Sequence, residues 1–453
     1  MKIRGIILSI LIISAAACGQ PGTKNRESGT TAKNKAGPAI PMGDEGKTLY
    51  TAWCSACHGA HGKGDGPAAL EVSARNFTKE PFKIRSTPSG QPPTRKDIFE
   101  TITRGIPVSG MPSFAFLPEE DRWKLTDEVR RLAKIDTLPE PAPIALGKIS
   151  ASTPESLQRG KELYAANGCI SCHGETGRGD GPASKSLLDD QGRPIPARDY
   201  TKGQYLGGDT PEAIHMRLRT GLDGTGMPAF SENLTMEQGW DMAHYVLSLR
   251  SPKESPSSDP IALGRQVVAE RRCQSCHMIE GKGGDVGPSL DVAASKLRFD
   301  WIKNFLKNPP AAGKNYHYIP YQMPNFQLTD AEIDGIVAYF AKISGRQVSE
   351  PTDIAIAIDE NKVKAGQLLY FLKCTECHNM GNVIPTPKAK QQGPDLIQVS
   401  RRIRYDWIPT WVNNPKQVYP LARMVDTNLT PEEIEQVRQF IWKTSVTSLE
   451  KAP

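Results

Sequence analysis

The sequence predicts an all-α protein made of four tandem small domains joined by Pro- and Ser-rich linkers. A five-residue motif, Cys-x-x-Cys-His, occurs four times, with its first cysteine at positions 54, 169, 273 and 374. This period of about a hundred residues is too long for a stacked repeat, so it indicates tandem domains. A short helical pattern precedes each motif, and a second apolar helical pattern closes each repeat. Segments rich in proline, serine and charge separate the repeats.

Length and composition set the outer limits of this organisation. The chain has 453 residues, of which 38% are hydrophobic and 23% are charged, as in soluble globular proteins. After a predicted signal peptide (1–17) and tether (18–41), we place the domains, which we call units 1 to 4, at residues 42–136, 155–251, 260–345 and 359–446. Residues 136–154, 251–260 and 345–358 are expected to be extended, semi-flexible connectors.

The helices that flank each motif have recognisable ends. A glycine stands eight or nine residues before each motif, at Gly46, Gly160, Gly264 and Gly366. In units 3 and 4, Thr329 and Thr430 are each followed three residues later by glutamate, which predicts a capping box at the start of the closing helix. The apolar residues that follow at helical spacing are expected to be core.

The four units fall into two pairs. DIFETITRGIPVSGMPSF (97–114) aligns without a gap on AIHMRLRTGLDGTGMPAF (213–230), which relates units 1 and 2. RFDWIKNFLKNP (298–309) aligns on RYDWIPTWVNNP (404–415), which relates units 3 and 4. Two paired duplications account for this pattern.

The charge balance argues against nucleic-acid binding. The net charge is only +6, and no dense run of lysine and arginine gives the basic face that such proteins need. The small basic group at Arg401, Arg402 and Arg404 is interpreted as a solvated or docking face.

Cysteine use and the N-terminus indicate the compartment. Eight of the nine cysteines belong to the motifs, so no cysteine pair remains for ordinary disulfides. The ninth, Cys18, follows a basic start, a short apolar run at 5–14 and three alanines. This segment resembles a bacterial lipoprotein signal, in which Cys18 is lipidated; the alternative is ordinary cleavage after Ala17. Either way we expect export to the periplasm or cell envelope. No later stretch is long and apolar enough to span a bilayer, so any membrane attachment is expected to be by lipid at Cys18.

Cys-x-x-Cys-His is the attachment signature of c-type haem. Its two thiols form thioether bonds with the two vinyl groups of the porphyrin, and the adjacent histidine becomes the proximal iron ligand. The sequence therefore predicts four covalently bound haem c groups. The predicted thioether residues are Cys54, Cys57, Cys169, Cys172, Cys273, Cys276, Cys374 and Cys377. The predicted proximal ligands are His58, His173, His277 and His378.

Two other interpretations of the cysteine pairs are a zinc ribbon and a thioredoxin-like redox pair. A zinc ribbon needs two Cys-x-x-Cys knuckles about 15–20 residues apart, whereas these lie about a hundred residues apart. A thioredoxin-like redox pair needs a βαβ context, and the sequence shows none.

A methionine in each unit is the predicted sixth iron ligand. These residues are Met111, Met227, Met323 and Met424. Their distance from the motif histidine is nearly equal within each pair of units, and each stands just before the closing helix. Met424 lacks the proline that follows the other three, but its spacing to Leu429-Thr430 equals that of Met323 to Leu328-Thr329.

Bis-histidine ligation is the competing scheme. The chain has four further histidines, His61, His215, His244 and His317, but unit 2 has two of them and unit 4 has none. His61 lies too near His58 to reach the opposite haem face. We therefore interpret these four as surface or packing residues.

Each unit resembles a class I cytochrome c domain, with a helix, Cys-x-x-Cys-His, a Gly-Pro segment, a methionine loop and a closing helix. The resemblance covers nearly all of residues 42–446 and implies a tetrahaem c-type cytochrome. It also implies that a proline carbonyl after the motif accepts a hydrogen bond from the proximal histidine. The matching prolines are Pro67, Pro182, Pro288 and Pro394.

The predicted function is electron transfer rather than catalysis. Four haems with fixed His and Met ligands would carry single electrons between a membrane-associated donor and another redox protein. One alternative is a haem enzyme, peroxidase- or reductase-like, with one open iron position, for which Met424 is the weakest ligand. Another is a haem subunit of a respiratory quinol-oxidising complex. The sequence does not separate that subunit from a free-standing carrier.

Overall fold

The computed structural model describes residues 45–70, 73–252, 257–309, 321–348, 356–381, 393–418, 422 and 424–450. The predicted signal peptide, the tether with Cys18, and His317 lie outside these residues. The α-helices are α1 (Glu45–Trp53), α2 (Ser55–His58), α3 (Arg95–Arg104), α4 (Glu119–Leu132), α5 (Pro154–Ala166), α6 (Cys169–His173), α7 (Pro211–Thr220), α8 (Met236–Ser248), α9 (Pro260–Glu270), α10 (Ala293–Lys296), α11 (Phe299–Lys307), α12 (Asp330–Ile343), α13 (Glu360–Lys373), α14 (Val399–Arg402), α15 (Ile408–Asn413), α16 (Pro415–Val418) and α17 (Pro431–Glu450).

Helices dominate the described residues, in agreement with the predicted all-α class. The strands found are two short ones, β1 (Met278–Ile279) and β2 (Lys282–Gly283), which form an antiparallel hairpin after the third motif. This hairpin was not predicted from the sequence. Among the described residues, no helix is both long and apolar enough to cross a membrane.

In every unit, the helix before the motif packs on the closing helix: α1 on α4, α5 on α8, α9 on α12 and α13 on α17. The recurring position of the glycines in these first helices now has a physical explanation. A Cβ atom at Gly264 would clash with the carbonyl oxygen of Gly335, and one at Gly366 with that of Gln436. The helices therefore cross backbone on backbone, which only glycine permits.

The closing helices begin at the predicted caps. The Thr329 side chain accepts a hydrogen bond from the Glu332 backbone N–H, and the Glu332 carboxylate accepts one from the Thr329 N–H, at 3.2 and 2.7 Å. Thr430 and Glu433 make the same pair of bonds. Both capping boxes predicted from the sequence are confirmed.

The linker at 136–154 is extended, but it is fastened to the units on both sides. The Ile144 N–H donates to the Ser86 carbonyl at 2.8 Å in unit 1. Near its other end, His244 Nε2 of unit 2 donates to the Ser150 carbonyl at 3.0 Å. An extended segment has no internal partners for its polar groups, so neighbouring units supply them. The other two connectors lie partly outside the described residues.

Among the described residues, contacts join unit 1 to unit 2, unit 3 to unit 4 and unit 1 to unit 3. Units 1 and 2 meet around buried Arg85, which donates to the Thr220 carbonyl at 2.7 Å. Units 3 and 4 meet at a backbone bridge between Leu297 and Ile403. Units 1 and 3 meet where the Gln322 N–H donates to the Ala52 carbonyl at 2.8 Å.

Candidate functional site

Each Cys-x-x-Cys-His motif folds as a single tight turn at the end of the unit's first helix. In unit 1 the turn is α2, and in unit 2 it is α6. In units 3 and 4, the backbone N–H of His277 and His378 donates to the carbonyl of the first cysteine at 3.0 and 2.8 Å. Because residues four apart on a helical turn share one face, the turn brings the first cysteine and the histidine together.

Each turn is next to its own hydrophobic cluster. The clusters contain, in chain order, Cys54 with Met111, Cys169 with Met227, Cys273 with Met323, and Cys374 with Met424. In every unit, the first motif cysteine and the candidate methionine therefore pack on the same apolar core, although about fifty residues separate them along the chain.

The motif thiols are in a state that suits covalent attachment. All eight are free of disulfides. Burial raises the pKa of Cys54 and Cys273 to about 12 and that of Cys169 and Cys374 to about 11, so these groups are protonated at neutral pH. These thiols would hold a haem by adding to its vinyl groups, a reaction without a leaving group in which one vinyl carbon takes the sulfur and the other the hydrogen.

The histidines of units 3 and 4 are oriented as the resemblance implied. His277 Nδ1 donates to the Pro288 carbonyl at 2.7 Å, and His378 Nδ1 donates to the Pro394 carbonyl at 2.9 Å. With the proton on Nδ1, Nε2 keeps a lone pair for a metal. A Cβ atom at Gly287, just before Pro288, would clash with the His277 ring, so the Gly-Pro pair places its carbonyl close to the imidazole.

The expectation for Pro67 and Pro182 is wrong. In unit 1, His58 Nδ1 donates to the Arg75 carbonyl at 3.0 Å, and in unit 2, His173 Nδ1 donates to the Arg198 carbonyl at 3.2 Å. Here the glycine before each proline packs under the motif turn instead: a Cβ atom at Gly66 would clash with the Ala56 carbonyl. The Gly-Pro segment therefore packs against the motif turn. The carbonyl that faces the imidazole comes from a later part of the loop, at Arg75 or Arg198.

Two aromatic residues that were not predicted from the sequence stack on the histidines of units 1 and 2. Phe77 stacks on His58 with ring centroids 4.5 Å apart, and Tyr200 stacks on His173 at 4.4 Å. The Tyr200 hydroxyl also donates to His173 Nε2 at 3.0 Å, the nitrogen that would bind an iron, so this bond would have to break when a haem is held there. The available signal was a shared Ala-Arg-x-aromatic segment, ARNF at 74–77 and ARDY at 197–200.

Burial also sets the charge state of the motif histidines. It lowers the pKa of all four, His58, His173, His277 and His378. Burial disfavours the imidazolium form, and a neutral imidazole is the form that binds iron. Three features of each site fit a covalently attached haem. The histidine Nδ1 is held by a carbonyl, the two cysteines are free, and apolar side chains lie nearby.

The further candidate metal-binding side chains lie apart in the part of the chain that the structure describes. There, no three His, Cys, Asp or Glu side chains are grouped so as to hold a metal ion. His215 is fully buried between helices α7 and α8, and neither of its ring nitrogens has a hydrogen-bond partner among the described residues. His61 is exposed, and His244 is bonded to the linker.

Comparison with protein families gives the same answer as the geometry. Residues 157–250 and 261–344 match the family described as Cytochrome c. The chain contains cytochrome c domains. Residues 41–127 match the family described as cytochrome c oxidase, cbb3-type, subunit III. These three segments hold the first three motifs, and the fourth lies outside the matched ranges.

Similar curated proteins are subunits of one kind of oxidase. FixP of the cbb3-type cytochrome c oxidase of Sinorhizobium medicae is 29% identical over 136 residues, covering 28% of this chain and 41% of its own. CcoP of Rubrivivax gelatinosus is 31% identical over 134 residues, covering 29% of this chain and 38% of its own. FixP of Azorhizobium caulinodans is 27% identical over 199 residues, covering 42% of this chain and 54% of its own. The chain thus spans about half or less of the length of these relatives.

One solved structure is also similar in part, a chain of the reducing HAO-like protein complex of Kuenenia stuttgartiensis. It is 38% identical, with a TM-score of 0.45, covering 46% of this chain and 96% of its own. Together, the family matches and the oxidase relatives support a multihaem c-type cytochrome that transfers electrons through covalently bound haem c.

Proposed function

We propose that the chain carries four haem c groups, one per unit, and relays single electrons between redox proteins of the cell envelope. The iron ligands would be the pairs His58 and Met111, His173 and Met227, His277 and Met323, and His378 and Met424. The observation that carries this proposal is the recurrence of one arrangement in all four units. Each packs the first motif cysteine and a methionine on one apolar cluster, next to a motif histidine whose Nδ1 is held by a carbonyl.

The haem supplies reversible one-electron exchange at its iron, and the protein's part is to keep the ligands still. The carbonyls that accept from Nδ1 fix the orientation of each imidazole and raise its basicity. The apolar clusters on which the methionines pack would limit the access of water to the methionine side. Because neither ligand has to leave when the charge changes, little of the structure needs to reorganise.

The contacts between units support a continuous relay. Gln322, which bonds to Ala52 of unit 1, stands directly before Met323, and Ala52 stands two residues before Cys54. The short 3-10 turns at Pro67–Leu70 and Cys273–Ser275 also pack together. These contacts bring the first and third sites close, and further contacts link unit 1 to unit 2 and unit 3 to unit 4. The two pairs would form two modules of different potential.

The setting of this relay is also part of the proposal. We infer export, attachment to a membrane by lipid at Cys18, and a membrane-associated electron donor. The names of the relatives, subunits of cbb3-type oxidases, favour a place beside or within a respiratory complex. A haem enzyme would need one open iron. The position of Met424 on the same cluster as Cys374 argues against it.

The test uses the fully haem-loaded protein. A pyridine haemochromogen assay should give four haems per chain. Carbon monoxide added after reduction with dithionite should leave the Soret band unchanged, because all four irons have six ligands. As a matched control, Met424→Ala should bind carbon monoxide at one haem in four. Binding to the wild-type protein at one haem, unchanged by Met424→Ala, would instead indicate an open site and an enzyme.

A further inference from the structure

A buried carboxylate links units 1 and 2 beside the first haem-attachment site. The side chain of Glu80 in unit 1 is only 4% exposed, and two arginines share it. Arg75 of the same unit lies 3.6 Å from the carboxylate, and Arg193 of unit 2 lies 2.8 Å from it. Asp189 of unit 2 pairs with the same Arg193 guanidinium at 2.7 Å. These four side chains alternate in charge, and we call them the Glu80 network.

Unit 2 reaches Glu80 with a loop that is shorter in unit 1. The segment from the motif histidine to the stacked aromatic residue is eight residues longer in unit 2 (173–200) than in unit 1 (58–77). Within the longer segment, the Asp189 carboxylate accepts hydrogen bonds from the backbone N–H and from Nε of Arg193 at 2.9 and 2.8 Å. The loop therefore fixes the Arg193 guanidinium in its position against unit 1.

One end of the Glu80 network lies at the residue that orients the first imidazole. The Arg75 carbonyl accepts the hydrogen bond from His58 Nδ1 at 3.0 Å. The Arg75 guanidinium donates to the carbonyl of Pro81, directly after Glu80. The Glu80 backbone N–H donates to the Asn76 carbonyl at 2.9 Å, so this segment is a compact turn. The turn fixes the Glu80 carboxylate relative to the proximal histidine of unit 1.

The second site has a different electrostatic setting. Arg198, which takes the place of Arg75 in unit 2, lies near another cation, Arg272 of unit 3. Counted from these two arginines, the place of Glu80 is taken by Gly203. The fold of a unit therefore does not need this acid, and its presence distinguishes the first site from the second.

The charges of the Glu80 network balance one another. Its two arginines and two acids are neutral together, and so are the neighbouring Lys83 and Asp190. Because Glu80 and Asp189 are buried, water screens their charges only weakly, and loss of one member leaves an uncompensated charge. Ferric iron carries one more positive charge than ferrous iron, so a nearby anion lowers the midpoint potential of a haem and a nearby cation raises it.

We propose that Glu80 is a positioning residue that lowers the midpoint potential of the first haem, and that unit 2 adjusts this potential through Arg193. The Glu80 carboxylate acts through its ion pair with Arg75 and through its own charge. This inference rests on the proposed electron-transfer function. It gives the contact between units 1 and 2 a role in that function, because this contact sets the difference in potential between their haems.

The test is a spectroelectrochemical titration of the full-length, fully haem-loaded protein, which measures the four midpoint potentials. Glu80→Gln keeps the side-chain volume and an acceptor for the Asn76 N–H, but it removes the charge, so one potential should rise. Arg193→Gln removes a cation, so the same potential should fall. Each shift should be roughly tenfold in the ratio of ferrous to ferric haem, which is about 60 mV for one electron.

The opposite signs separate an electrostatic role from a structural one. In Glu80→Gln/Arg193→Gln the two changes cancel, so the potential should return close to the wild-type value. The matched control is Glu120→Gln in unit 1. This carboxylate pairs with Lys124 but is 79% exposed, so water screens its charge and all four potentials should stay unchanged.

Two results would overturn the role of Glu80. One is a set of potentials in both single variants that matches the Glu120→Gln control. The other is a shift in the same direction in both, which would indicate a general disturbance of the loops. If Glu80→Gln does not retain four haems, Arg193→Gln still decides, because the Arg193 side chain is 35% exposed and its loss leaves the core closed. Failure of the proposed function looks different, because a chain without covalent haem gives no haemochromogen and no redox titration at all.

Discussion

The backbone N–H of Arg298 in unit 3 donates to the carbonyl oxygen of Arg402 in unit 4 at 3.0 Å. In the opposite direction, the Arg404 N–H donates to the Lys296 carbonyl at 2.9 Å. The two segments, KLRFDW at 296–301 and RIRYDW at 402–407, are the related parts of the duplicated pair. Each copy therefore contacts its own counterpart, as in the isologous interface of a symmetric dimer.

This pairing can be tested by removing one donor. Arg298 has a φ of −70° and Leu297 before it has a ψ of 149°, so proline fits at 298 without backbone strain. Arg298→Pro lacks the N–H, whereas Arg298→Ala keeps it. We expect the proline variant to be less stable than the alanine variant by about 1 kcal/mol, since one inter-unit hydrogen bond is lost. Denaturant unfolding followed by circular dichroism measures the difference. Equal stabilities, after allowance for the entropy that proline removes from the unfolded chain, would contradict the pairing.

A second prediction concerns Arg85 between units 1 and 2. Its buried guanidinium donates to the carbonyls of Phe82 and Thr220 at 3.1 and 2.7 Å and lies 2.7 Å from Asp223. Arg85→Met keeps most of the volume but removes the cation that faces Asp223 and the donor to the two carbonyls. The free energy of unfolding of this pair of units should therefore fall by roughly 3–5 kcal/mol. Arg95→Met is the control. Arg95 pairs with Asp127 in an exposed position, so loss of this ion pair should lower the free energy of unfolding by less than about 1 kcal/mol. Similar losses for both variants in thermal unfolding would show that burial of Arg85 does not matter.

A third prediction follows from buried His215 in unit 2. Burial, with Arg219 nearby, lowers its pKa from 6.5 to about 4. Between these values the unfolded chain binds a proton that the folded chain does not, so stability falls as pH drops from about 6.5 to 4. The full effect is about 3 kcal/mol. His215→Leu should flatten the pH dependence of unfolding in this window relative to wild type. An unchanged slope would show that other groups cause the pH dependence of stability in this window.

The fourth prediction tests how the third imidazole is held. Gly287→Ala places a methyl group against the His277 ring and should disturb the bond from Nδ1 to Pro288. A less basic imidazole stabilises ferric iron less, so one of the four midpoint potentials should rise. A tenfold change in relative affinity corresponds to about 60 mV for one electron. Spectroelectrochemical titration of the wild type and the variant measures the four midpoint potentials and resolves a shift of this size. Gly281→Ala is the control for general strain in the loop, because the φ of +69° at Gly281 strains an alanine there while its Cβ atom meets nothing within 4 Å. A rise in that variant as well would point to general strain in the loop.

The sequence alone determined the features that depend on neighbouring residues. The motif turns, the glycines of the first helices, and the capping boxes at Thr329 and Thr430 rest on spacings of three or four residues, which fix geometry locally. Each methionine could also be paired with a motif, because the order of segments repeats in every unit.

The tertiary structure decided what depends on the path of a loop. Pro288 and Pro394 reach their histidines, but Pro67 and Pro182 do not, because in units 1 and 2 the Gly-Pro segment packs under the motif turn and Arg75 and Arg198 take its place. Contact between the first and third sites was equally unpredictable, since it joins residues far apart in the chain. Such choices come from packing over the whole molecule, and no local spacing encodes them.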